Sequence, residues 1–437
     1  MSEPKTLTPD ETYALDRAHV FHSWSAQAAL KPMVVTKTSG SRLWDGDGNE
    51  YLDFTGQLVF TNIGHQHPRV VEAIQEQAAT LCTIGPSNAN DRRSQLASMI
   101  SDLLPDNLNK VFFTNGGTEA NEHAVRMARE FTGRRKLLSA YRSYHGATAQ
   151  SIHLTGEQRR FANDKGASEV VHFFGPFLYR SEFFAESPEQ ECERALAHLE
   201  RTIQMESPDA FAALVLEPVI GSAGIIPPPA GYLEGVREIC DRYGIVFIAD
   251  EVMAGFGRTG KWFGHQHADV VPDLITFAKG VNSGYVPLGG VVISDAIAGH
   301  FDERAYPGGL TYSGHPLACA AGVETITTMK DEGIVDSARR IGEDVLGPGL
   351  AKLAETHDIV GDARGVGVFW ALELVEDAET KKPATEAAAT VAAAAKKNGL
   401  LVIAAGNRLH IVPPCTVSDE EISTALSILD EALGSLS

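Results

Sequence analysis

GIVFIADEVMAGFGRTG (244–260) and, a short spacer later, DLITFAKG (273–280) decide how this sequence is read. Each opens with an apolar run shorter than an ordinary helix and bounded by turn residues, which is the signature of a buried strand. The first run closes on Asp250 and the second on Lys279, an acid and a base at two strand ends. In an open α/β sheet the carboxyl ends of the strands face the crevice where ligands bind.

Working outward, the middle of the chain alternates such runs with amphipathic segments. KVFFTN (110–115), FAALVLEP (211–218) and GGVVIS (289–294) read as further strands. GTEANEHAVRMAREFTG (117–133) and GYLEGVREICDRYG (231–244) read as helices, the second ending on its glycine. This is the pattern of an α/β protein with a mostly parallel sheet. LWDGDGNEYLDF (43–54) suggests a hairpin around its Gly/Asp turn. Past residue 325, helical segments precede GVGVFWALEL (365–374) and LHIVPP (409–414), each read as a strand, and TEAAATVAAAAKKNG (385–399) reads as a helix closed by Gly399. We expect one large domain over 61–325 and a smaller α+β domain built from both chain ends, 1–60 and 326–437.

Composition narrows the function classes. Of 437 residues, 43% are hydrophobic and 22% charged, a balance that supports a large buried core. A net charge of -20 repels phosphate backbones and anionic lipid, so nucleic-acid and membrane-surface partners are not expected. Cys82, Cys192, Cys240, Cys319 and Cys415 are scattered, as in a reduced cytoplasmic protein. The first twenty residues lack the apolar core of a secretion signal, and no stretch reads as a membrane span.

The chemistry concentrates in four segments, TNGGTEAN (114–121), YRSYHGAT (141–148), IADEVMAGFGRTG (248–260) and FAKG (277–280). Gly116, Gly117 and Thr118 stand where a helix begins, so free amides and a hydroxyl can hold a phosphate. Asp250 can pair with a protonated ring nitrogen and make that ring an electron sink. Lys279, destabilised as an ammonium by an apolar setting, can attack an aldehyde. Alone, each has a plain structural explanation: a glycine turn, an aspartate cap, a snorkelling lysine. Their combination is harder to explain that way.

These segments, with DGDGNEYLDF (45–54), NIGHQHP (62–68) and TYSGHPLACAAG (311–322), resemble the class III (ω-type) aminotransferases of pyridoxal-phosphate (PLP) fold type I over nearly the whole chain. The resemblance implies that Lys279 bonds the cofactor and Asp250 partners its pyridine nitrogen. It implies Tyr144 stacked on the ring, Val252 beneath its other face, and Gly117 and Thr118 as the phosphate cradle. Thr311 corresponds to a residue reaching the phosphate of a neighbouring subunit, which implies a homodimer or a dimer of dimers, and Glu217 to a glutamate near the lysine. The same motifs occur in lyases acting on amino-alcohol phosphates and in racemases, which need no second carbonyl substrate. A non-catalytic PLP-binding regulator would usually carry a fused basic DNA-binding domain, for which this chain has neither the length nor the charge.

Substrate residues are read from two places. VFHSWSAQ (20–27) is similar to the segment lining the pocket of ω-aminotransferases, with Trp24 as a wall, and its wording is closest to taurine-type members. In NRLHIVPPC (407–415) the position matching a family arginine is His410, while Arg408 lies two residues earlier on the same face of a strand. The expected reaction moves an amino group from an ω-amino acid or primary amine, of the taurine, β-alanine or 4-aminobutyrate type, to a 2-oxo acid, pyruvate or 2-oxoglutarate. GFGRTGK (255–261) is no P-loop, since Trp262 replaces its Ser or Thr. The His65/His67 and His265/His267 pairs read as structural histidines rather than metal ligands.

Overall fold

The computed structural model describes residues 6–163 and 169–436; the first five residues of the segment read for a secretion signal, and Ser437, lie outside them. The central sheet has seven strands, numbered here in chain order: Lys110–Thr114 (β1), Lys136–Ala140 (β2), Val170–Phe173 (β3), Phe211–Leu216 (β4), Val246–Asp250 (β5), Leu274–Phe277 (β6) and Gly289–Ile293 (β7). They lie in the order β1-β7-β6-β5-β4-β2-β3. β2 to β6 run parallel, whereas β7 is antiparallel to both β1 and β6. This is the mainly parallel α/β architecture expected. All residues of β4, β5, β6 and β7 are buried. At about 1.5–3 kcal/mol for each large apolar side chain removed from water, these strands hold the sheet's centre firmly.

Helices begin and end where the sequence places them. Gly117–Thr132 is amphipathic, with Glu119 in its first turn, Arg129 in its last and Gly133 closing it at φ 68°. Tyr232–Tyr243 ends on left-handed Gly244, and Thr385–Lys397 is followed by Gly399 at φ 85°.

Two strand readings need correction. β6 stops at Phe277, and Lys279 opens a short 3-10 turn, Lys279–Val281, with its own φ at 47°. A left-handed residue cannot continue a ladder, so Lys279 is carried off the end of the sheet. GVGVFWALEL is a hairpin, joining Val360–Val366 to Phe369–Asp377. Gly367 turns the chain at φ 58°, and a Cβ there would lie 2.4 Å from the Thr259 carbonyl carbon, so the turn packs directly on the GFGRTG loop.

Outside the central sheet, Val35–Ser39, Arg42–Asp45 and Glu50–Asp53 form a meander to which Leu400–Leu401 adds in parallel. A second peripheral sheet combines Val360–Val366, Phe369–Asp377, Arg408–Ile411 and Ile403–Ala405. Arg258 is fully buried and ties these parts together. Its Nη1 donates to the carbonyls of Pro413 and Val368, and its Nη2 to Asn62 Oδ1. Among the described residues, no helix is long and apolar enough to cross a membrane.

Candidate active site

β5 and β6 are neighbours in register, with Asp250 beside Thr276, so the acid and the lysine that follows β6 open into the same crevice. Asp250 is buried and held from several directions. His145 Nδ1 and Asn121 Nδ2 donate to its Oδ2 at 2.7 and 2.8 Å, and the Val252 amide donates to Oδ1 at 3.1 Å. Asn121 is fixed in turn by Thr276 Oγ1 at 2.8 Å. An ionised carboxylate only accepts, so Nδ1 of His145 carries the proton. Burial works against the imidazolium, yet the bond to Asp250 and its charge outweigh that, and the His145 pKa moves up.

Glu217 follows β4 and is buried beside this group. It accepts from the amides of Tyr144 at 2.9 Å and Gly221 at 2.8 Å. Burial pushes its carboxyl up to about 7, against the charge of His145. Lys279 is partly buried at the surface of the cluster. Loss of hydration pushes its amine down to about 8, although Asp250 and Glu217 pull the other way; Arg159 and Arg258 add to the lowering.

The helix Gly117–Thr132 supplies the phosphate cradle. Its N-cap is Gly116, which offers no side chain to the first amides. Thr118 Oγ1 lies 2.7 Å from Ser151 Oγ and 3.0 Å from Thr148 Oγ1, a cluster of hydroxyls at that helix end. A Cβ on Gly117 would come within 2.7 Å of Val252 Cγ2, and one on Gly146, at φ 134°, within 2.2 Å of Thr118 Oγ1. Both glycines keep space that any side chain would fill.

Arg159 lies in TGEQRR (155–160), which carries no motif. Its guanidinium lies 3.8 Å from the centre of the Tyr144 ring. It pairs with Glu157 and donates to Ser222 Oγ at 2.8 Å. His145 and Asn121 lie within two of the motifs, but only the fold shows that both aim at Asp250.

Arg408 is half-buried at the start of its strand, and its side chain makes no hydrogen bond or ion pair among the described residues, its Nε being buried and unpartnered. Burial lowers its pKa, opposed by the charges of Glu373 and Glu157. His410 is buried, and burial pushes it down to about 3, with Arg408 and Arg364 adding to the effect. It is therefore neutral and offers no charge to an anion. Trp24 and Thr311 are exposed. The four histidines of the H-Q-H strings each have partners: His65 with Asp53, His67 with Glu332, His265 with Glu251 and His267 with the Thr259 carbonyl.

The donor set suits PLP. Uncapped amides and hydroxyls suit its phosphate, a buried aspartate suits its pyridinium, and an amine poised near neutrality suits its aldehyde. A mainly parallel sheet with that lysine and aspartate after neighbouring strands defines a PLP-dependent enzyme of fold type I. Residues 24–433 match the family model described as aminotransferase class-III, and the chain belongs to that family. It is 34% identical to the putrescine–pyruvate aminotransferase of Pseudomonas aeruginosa, covering 97% of this chain and 96% of that one. It is also 34% identical to the taurine–pyruvate aminotransferase of Rhodobacter capsulatus, over 96% of each. Among solved structures it is similar to the taurine:2-oxoglutarate aminotransferase from Bifidobacterium kashiwanohense in complex with PLP and glutamate, with a TM-score of 0.96, 40% identity and 99% of each chain covered.

Proposed function

We propose that this aminotransferase takes its amino group from the terminal primary amine of a small ω-amino acid with an anionic far end, of the taurine, β-alanine or 4-aminobutyrate type. The acceptor is a 2-oxo acid, pyruvate or 2-oxoglutarate. The observation that carries this reading is a pair of arginines that share Glu157: Arg159, which lies over Tyr144 and is felt by Lys279, and Arg408, whose side chain has no ion-pair partner among the described residues. A guanidinium holds a sulfonate or carboxylate through paired, charge-assisted hydrogen bonds. The same cations repel the second ammonium of a diamine, so putrescine is disfavoured although a relative uses it.

PLP, when bound, supplies an aldehyde for the amino group and an electron-accepting ring. Lys279 would be the amine that bonds it, and as a free amine it would serve as base and acid toward the proton on the donor's amine-bearing carbon. Asp250, oriented by His145 and Asn121, would partner the ring nitrogen. Gly117 and Thr118 would hold the phosphate, and Tyr144 and Val252 would flank the ring. Glu217 maintains the Tyr144 loop through its two backbone bonds. Trp24 walls the substrate pocket, and Thr311 reaches a neighbouring subunit's phosphate in a homodimer. The domain division at residues 60 and 325 belongs to the same reading, supported by the pairing of Leu400 with Leu52, as does a cytoplasmic location, supported by five free cysteines.

A donor-by-acceptor panel on the purified protein tests this. Turnover of taurine or another ω-amino acid with a 2-oxo acid is expected; turnover confined to diamines, or none without phosphorylated amino alcohols, would overturn it. Arg159→Leu and Arg408→Ala should each cost anionic donors about 10- to 100-fold in kcat/KM, the worth of a charge-assisted bond, and spare uncharged amines. Equal losses on both donor types would remove the arginines from the substrate site.

A further inference from the structure

The stretch 300–315 contains no helix or strand, and half of it is exposed, yet it is fastened to the protein at two points that bracket Thr311. Before Thr311, the Tyr306 hydroxyl lies 2.6 Å from His123 Nδ1, and Arg126 Nη1 donates to the Pro307 carbonyl at 2.8 Å. Burial lowers the His123 pKa and so favours the neutral ring, in which one nitrogen can accept from the phenol. The Tyr306 ring is wedged edge-on against Phe112 and Phe301, with centroids 5.7 and 5.2 Å away. After Thr311, Ser313 Oγ donates to the Phe113 carbonyl at 2.8 Å, and Arg93 Nη1 reaches the Ser313 carbonyl at 3.4 Å.

Both anchors converge on one structural unit. Phe112 and Phe113 belong to β1, and His123 and Arg126 to the helix Gly117–Thr132. That strand and helix are joined by Asn115 and Gly116, and the helix carries Gly117, Thr118 and Asn121 into this subunit's own cofactor site. The segment meant for the neighbour's phosphate is thus bolted to the frame of the local phosphate cradle.

We propose that Tyr306 and Ser313 are positioning residues that set Thr311 for the partner subunit's phosphate, and that through them each cradle and the opposite site share one rigid support. The proposal rests on the reading of Thr311 as a trans phosphate ligand. A neutral hydrogen bond lost at such an anchor weakens the distant contact without removing it. Tyr306→Phe and Ser313→Ala should each weaken PLP binding about three- to tenfold, with little change in Tm. Combined with Thr311→Ala, neither should add its full effect, because all act through one contact.

The deciding experiment uses mixed dimers of an isotope-labelled wild-type chain and an unlabelled variant chain at limiting PLP. Borohydride reduction fixes the cofactor on Lys279, and peptide mass mapping reports occupancy of each chain separately. With Tyr306→Phe or Ser313→Ala in one chain, the loss should fall on the wild-type chain's Lys279. A loss confined to the variant's own site, or no loss, overturns the proposal. Thr311→Ala in the same format separates the two ideas. If it fails to deplete the opposite site, the trans reading itself is wrong; if it succeeds where both anchor variants do not, only the positioning role falls.

Discussion

Lys279 should react with an aldehyde at a rate that stops rising near pH 8 instead of near the ordinary lysine value of 10.5. Only the neutral amine has a lone pair to attack with, and burial destabilises the ammonium more than Asp250 and Glu217 restore it. At pH 7 a pKa of about 8 leaves about one amine in ten neutral, against about one in three thousand for an ordinary lysine, a gain of about 300-fold. The perturbation that probes this balance is Asp250→Asn, which removes the larger of the two charges favouring the ammonium and should move the inflection below 8. Glu217→Gln should act in the same direction only above pH 7, because its carboxyl is itself pushed up to about 7 by burial. The assay is reconstitution of the cofactor-free protein, following the visible absorbance that grows as PLP bonds the lysine. For the wild type the rate constant should climb about tenfold per pH unit and flatten near 8. A rate still climbing tenfold per unit past about pH 10, or an inflection that rises in Asp250→Asn, would refute the account of Lys279 as a half-buried, charge-balanced amine.

Other perturbations follow from contacts at the site. Gly146→Ala should lower stability by about 1–3 kcal/mol, since φ is left-handed, and weaken PLP binding by pushing on Thr118 and Ser151; calorimetry with a binding titration reads both, and an unchanged affinity would detach Thr118 from the phosphate. His145→Phe removes a donor from buried Asp250, a loss of about 1.5–3 kcal/mol, and should cut turnover about 10- to 100-fold while PLP remains bound; turnover near wild type would show that Asn121 alone suffices. Asp250→Asn should retain PLP yet lose several orders of magnitude in turnover, because the ring nitrogen loses its charged partner; steady-state kinetics on the loaded protein checks it.

Much of this architecture was legible because local signals agree. β5 is a run of five buried residues closed by Asp250, and Gly133 and Gly244 close their helices in left-handed conformations. What failed did so where tertiary contact overrides local pattern. Apolar continuity through FAK hides the break after Phe277, which a left-handed Lys279 creates. GVGVFW reads as one strand because nothing in it announces that Gly367 must turn against Thr259. The site divides in the same way. Asp250 and Lys279 stand at strand ends and announce themselves, whereas Arg159 reaches Tyr144 from a segment with no motif. His145 lies within one, but its aim at Asp250 depends on the packing of a loop against two strands.

The parallel pairing of Leu400 with Leu52 has a consequence for how the protein is made. The strand Glu50–Asp53 keeps an open edge until Leu400 and Leu401, far later in the chain, have been made. Contacts of such separation form slowly, and an open edge is a template for pairing with another chain. The bond from the Val412 amide to the Phe54 carbonyl, with Arg258 drawing Asn62 and Pro413 together, closes on the same late schedule. Chains stopped short of residue 400 should therefore accumulate as aggregation-prone species even though every strand of the central sheet is already present.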